Sequence, residues 1–139
     1  MLSALVASSW AYPALEVVHL LGVALLIGNL AVLEARVFGA APSLPVAALA
    51  RLSLTLAICG FAVAAASGLL MFTTQAAELL ANRAFVLKMV LLFVAGSNAA
   101  WFHGRGSLRR MDALARGQLV FSGLLWLIIL ALGRWIAYI

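Results

Sequence analysis

Apolar residues fill this chain in four long blocks, and polar positions gather between them. Each block is apolar over about 20 residues, the length of a membrane span. The blocks predict helices over about 13–37, 48–73, 83–103 and 117–138, each long enough to cross a bilayer core of about 30 Å. Local signals agree with these limits. Pro13 suits a first helical turn, the two prolines of GAAPSLPV forbid a helix running through that connection, and Asn82 is placed to cap the third helix. GRGSLRRMDALAR, between the third and fourth blocks, is the most basic and most aqueous stretch. The expected fold is all-α, a four-transmembrane-helix bundle forming one membrane domain over residues 1–139. Gly60, Ala64 and Gly68 in the second block, and Ala95 and Ala99 in the third, offer small-residue strips where helix backbones can approach.

Composition fixes the solvent. Hydrophobic residues make up 67% and charged residues 9% of the 139 positions, and the mean hydropathy is +1.19; soluble domains carry about 25% charged residues. The pattern is that of a multi-pass membrane protein with no room for a separate soluble domain. The first residues, MLSALVASSW, hold no basic stretch of the kind that opens a secretory signal, so none is expected there. A single cysteine, Cys59, forms no internal disulfide. No nucleophile stands beside a base, and neither a phosphate-binding loop nor a thiolate cluster occurs, which argues against hydrolase and kinase chemistry.

Charge then orients the chain. Arg36, Arg51, Arg105, Arg109, Arg110 and Arg116 flank the first and third connections, whereas Arg83 and Arg134 lie near the other face. Because cytoplasmic connections accumulate Lys and Arg, both termini are expected on the periplasmic side of a bacterial cytoplasmic (inner) membrane. Trp10, Tyr12, Trp135 and Tyr138 would mark the outer interface and Trp101 the inner one. The formal net charge of +5 is then a topology signal and an attraction to anionic lipid, not a sign of nucleic-acid binding.

Polar residues inside the spans are the candidates for chemistry. Lys88 is the only lysine, and it lies in the apolar run AFVLKMVLLFVAG. In a four-span topology the first and third helices are parallel, and His19 and Lys88 each fall about 8 Å below the outer helix ends. Arg134 and Glu16 lie within about a turn of that level. A second group, Glu34 and His103, falls near the cytoplasmic side, with Asn29 and Asn98 at middle depth, suited to hydrogen bonds across helices. His19 and His103 would be separated by on the order of 24 Å along the membrane normal, too far to ligate one iron. His19 and Lys88 offer an imidazole and an amine at one level instead. Each has a plainer reading: the lysine lifts its ammonium to the headgroups, the histidine is a hydrogen-bonded packing residue, and Glu34 and His103 form a rim interaction with Arg36 and the basic connection. Glu78 and Asp112 read as solvated loop residues. Met71, Met89 and Met111 are scattered, unlike the thioether array that would hold copper(I).

EVVHLLGVALLIGNL and FVLKMVLLFVAGSNAAWFHGRGSLRRMD together resemble the four-helix membrane family of HemJ-type protoporphyrinogen oxidases and the membrane domain of CopD copper-resistance proteins, and in length and motif order the small DUF6644-type membrane proteins. The resemblance implies haem b held by a histidine of the first helix and a lysine early in the third, positions occupied here by His19 and Lys88. It departs before the lysine, where Ala84, Phe85, Val86 and Leu87 stand in place of more polar and aromatic residues. The leading expectation is electron transfer or a membrane oxidoreductase reaction with a quinone or membrane redox partner, with Arg134 and Glu16, near the level of the pair, completing the cofactor site. Copper handling and a non-catalytic assembly subunit, including a homo-oligomer, are the alternatives.

Overall fold

The computed structural model of the chain describes residues 8–110 and 112–138, with backbone alone for Leu108 and Ala137. The fold is all-α: α1 (Ala11–Val37), α2 (Val46–Thr74), the short α3 (Ala76–Ala81), α4 (Arg83–Gly104), the short α5 (Ser107–Arg110) and α6 (Ala113–Trp135), followed by a 3-10 turn at Ile136–Tyr138. Four of these helices, α1, α2, α4 and α6, are long and apolar enough to cross a membrane. The chain is therefore a multi-pass membrane protein. Many large apolar side chains are exposed, Phe93 at 78% and Ile58 at 68% among them, a distribution that suits a lipid solvent. The described residues form two compact units, divided after Ala76.

The first unit is the α1–α2 hairpin. Its packing surface on α2 is a seam of Ala50, Ser53, Ala57, Gly60, Ala64 and Ser67, all buried and all small. They recur alternately three and four residues apart, the period that keeps one seam against a neighbouring helix. From α1, Gly22, Leu26 and Leu33 are buried. The closest approach is between glycines: a methyl group on Gly22 would stand 2.7 Å from the Gly60 carbonyl oxygen and from the Ala64 nitrogen, and one on Gly60 would stand 2.6 Å from the Gly22 oxygen. Dispersion contacts between backbones replace the hydrophobic drive that lipid removes. The expected strip of Gly60, Ala64 and Gly68 thus carries part of the seam, which leaves Gly68 half-buried and continues through Ser67.

The turn after α1 is tight. Gly39 has φ +111° and Ala41 φ +48°, and the Arg36 side chain donates to the carbonyls of Leu44 (2.7 Å) and Pro42 (3.3 Å), tying the turn to the helix end. These bonds satisfy carbonyls that neither helix can reach.

The second unit is built on α4 and α6. Ala95, Leu125 and Ile129 form its core, with Leu91, Leu92, Val94 and Trp126 packed around them. Ala95 is buried there, while Ala99 is exposed. Asn82 caps α4 as expected, accepting from the backbone N–H of Ala84 (2.9 Å) and Phe85 (3.2 Å), and its amide also donates to the Ile136 carbonyl (3.0 Å). The fourth span begins at Ala113, before the 117 that the sequence suggests. Asp112 is the reason: its carboxylate accepts from the Ala115 N–H at 2.9 Å and so starts the helix earlier.

Candidate functional site

His19 lies on the α1 face that meets α2. Its Nδ1 is 2.8 Å from the Ala64 carbonyl oxygen and 3.3 Å from Ser67 Oγ. A carbonyl oxygen can only accept, so Nδ1 carries the proton and, in the neutral ring, the lone pair lies on Nε2. The Ser67 hydroxyl donates onward to the Val63 carbonyl at 2.7 Å, which leaves its oxygen lone pairs turned to the imidazole. Gly68 supplies the room. A methyl group there would meet His19 Cε1 at 3.3 Å. The small seam that packs the hairpin is thus the surface that fixes the ring. Glu16, one turn earlier on α1, is exposed, and Asn29 donates to the Leu25 carbonyl of its own helix at 2.7 Å. Among the described residues Asn29 bonds within its own helix, where its amide reaches a carbonyl one turn back. Glu34 is half-buried near the other end of α1. Arg36, its expected partner, is taken by the loop carbonyls instead.

Lys88 lies in the α4–α6 seam of the second unit. A methyl group on Gly133 would stand 3.2 Å from its Nζ, so the amine rests against α6 backbone that a larger residue would cover. Asn82 meets Ile136 nearer the helix end, which sets the amine about one turn, roughly 5 Å, inside that level. No hydrogen bond or ion pair holds it among the described residues. Arg134 projects from the same end of α6, donating to Tyr138 Oη at 3.1 Å and stacking over its ring at 5.4 Å.

At the opposite end of this unit lies a polar network that the sequence did not announce. Arg105 grips Asp112 through two bonds, Nη2 to Oδ2 at 2.7 Å and Nη1 to Oδ1 at 3.3 Å, and also donates to Ser107 Oγ at 2.6 Å. Ser107 in turn donates to Gln118 Oε1 at 2.6 Å, and Asn98 donates to the Gln118 carbonyl at 3.1 Å. Ser107 and Gln118 are buried at 0% and 3% exposure, so their bonds are made where water does not compete. Gln118 Nε2 is buried without a partner. Asp112, expected as a solvated loop residue, is exposed but engaged. The Arg105 guanidinium on its carboxylate, with the Ala115 N–H, holds its pKa down at about 2. Asn98 does bond across helices as expected, with α6 as its partner.

His103, at the end of α4, packs edge-on against Phe102 with ring centroids 5.3 Å apart. Together with Gly104, Arg105, Gly106 and Arg109 these rings wall a cavity of about 510 Å³. Among the described residues no three His, Cys, Asp or Glu side chains converge as a metal site. Met111, one of the scattered methionines, and the opening residues 1–7 lie outside the described residues.

Comparison with protein-family models, with curated proteins and with solved structures finds no match.

Ser67, Gly68 and Gly133, which shape the surroundings of His19 and Lys88, carried a faint signal: a glycine facing a lone polar residue in a span. Gln118 was legible as an uncharged polar residue in an apolar block. The Arg105–Asp112 pair was not, because a seven-residue separation across a turn matches no helical neighbour spacing.

Proposed function

We propose that this chain is a b-type haem-binding protein of a bacterial cytoplasmic membrane with a redox role, in which the His19 imidazole is an axial ligand and the Lys88 amine is the second donor that the resemblance to HemJ-type proteins implies. The observation that carries the reading is the His19 ring: its Nδ1–H is committed to the Ala64 carbonyl, the arrangement by which a backbone carbonyl fixes the tautomer of a ligating histidine and raises the basicity of Nε2. The donor set fits haem iron, since imidazole nitrogen and neutral amine each present one lone pair. Bound haem would supply one-electron chemistry whose potential follows the ligands and their surroundings. The chain's part is to orient the imidazole through Ala64 and Ser67. A quinol is the membrane reductant suited to such a centre. The arginines at the first and third connections support a topology with both termini outside.

An absorbance spectrum of the protein purified in mild detergent tests this. A Soret band in the wild type that is lost in His19→Ala, and shifted or weakened in Lys88→Ala, is expected. Absence of the band after expression with haem supplied, or a band unchanged in His19→Ala, overturns it.

A further inference from the structure

The cavity at the end of α4 is lined by none of the residues of the haem reading, and its walls combine an apolar ring with nitrogen donors. Phe102, buried, forms an apolar wall; His103, Arg105 and Arg109 contribute nitrogen donors; Gly104 and Gly106, with no atom within 4 Å of where a side chain would start, leave the mouth open. Among the described residues no carboxylate lines it. The one aspartate nearby, Asp112, is already gripped by Arg105, so it does not neutralise Arg109. The rim is fixed. Gly106, with φ +68°, turns the chain into α5, and Arg105 is held from behind by Asp112 and Ser107. That leaves Arg109 and His103, both exposed, as the groups that can reach an incoming ligand.

We propose that this cavity binds the phosphate of an anionic phospholipid headgroup, with Arg109 and His103 as the donors and the acyl chains lying along the exposed apolar face of α4. Depth selects the lipid over a soluble anion. The cavity sits at the end of a helix that crosses the membrane, the level at which headgroup phosphates lie. Trp101, 55% exposed one residue before the cavity begins, is the kind of side chain that settles at this interface. Further along α4, Phe93 and Val90 are 78% and 53% exposed and offer an acyl chain apolar surface. Arginine donors pair with phosphate oxygens through charge-assisted hydrogen bonds, stronger than neutral ones, and a volume of about 510 Å³ lies within the range of small-ligand sites.

Native mass spectrometry of the detergent-solubilised full chain, titrated with phosphatidylglycerol, measures the site directly. Arg109→Gln should weaken binding about tenfold, the loss of one charge-assisted hydrogen bond, and His103→Ala should weaken it in the same direction. Arg110→Gln removes the same charge one residue away, outside the cavity wall, and should change binding less than about twofold. Helical circular dichroism on each variant establishes that it folds. Equal losses in Arg109→Gln and Arg110→Gln would mean diffuse attraction to anionic lipid and would overturn the site. Displacement of the bound lipid by millimolar inorganic phosphate would also overturn the lipid assignment, making the cavity a soluble-anion site.

Discussion

At the scale of single residues, two placements carry consequences that can be measured. Asp112 holds its proton only near pH 2, well below the value of about 3.9 for a free aspartate. A depressed folded-state pKa contributes stability that is fully present above the unfolded value and is lost as pH falls through the folded one. Thermal unfolding of wild type and Asp112→Asn should therefore differ by a constant amount above about pH 5 and converge between about pH 4 and pH 2. Asparagine keeps the helix cap, so the gap reports the Arg105 pair; a gap that persists unchanged at pH 2 refutes that account. Gly133 offers a second measurement. Gly133→Ala brings a methyl group 3.2 Å from Lys88 Nζ, the flexible end of a side chain that moves at little cost. Helicity should stay unchanged while the amine shifts, and if Lys88 ligates iron the Soret band should shift with it. A spectrum identical to the wild type would remove Lys88 from the ligand set while leaving His19 untouched.

At the scale of elements, the four spans were legible because insertion depends on apolarity summed over about 20 residues, and no single residue decides it. Asn82 was legible for the opposite reason, since capping is local and chemically specific. The seam was only partly legible. Alanine is so frequent in α2 that small residues fall on every face, and only the partner helix selects 50, 53, 57, 60, 64 and 67 from among them. Gly22 was missed for the same reason, and His19 was seen without the carbonyl that orients it. One substitution made at two glycines separates packing from propensity. Gly22→Ala forces a methyl group 2.7 Å from α2 backbone, which side-chain rotation cannot relieve, and should destabilise the hairpin by about 1–3 kcal/mol. Gly28 has nothing within 4 Å of the same position, so Gly28→Ala should be neutral or stabilising by up to about 1 kcal/mol. Thermal unfolding in one detergent compares them. Equal effects would mean that the glycine contact does not hold the hairpin.

At the scale of the whole molecule, the count of crossings and the placement of arginine make a joint prediction. If each of the four candidate spans crosses, the expected topology puts both termini on one side and the connections 38–45 and 105–112 on the other. Arg36, Arg51, Arg105, Arg109, Arg110 and Arg116 flank those two connections, and translocating such clusters is opposed by the membrane potential, at about 2.3 kcal/mol per charge per 100 mV. Alkaline phosphatase, active only when exported, should therefore be active when fused after residue 139 and inactive when inserted between α4 and α6, while the chain resists alkaline extraction from the membrane. The second insertion point also bears on the lipid site. An inactive fusion there places the Arg109 cavity in the cytoplasmic leaflet, where anionic headgroups are enriched, and the phosphatidylglycerol titration then measures a ligand the cavity meets in the cell. Activity at both fusion points would mean an even number of crossings between them and would break the four-span topology, which has one there, α6; activity only at the insertion would invert the chain and deny the arginines their orienting role.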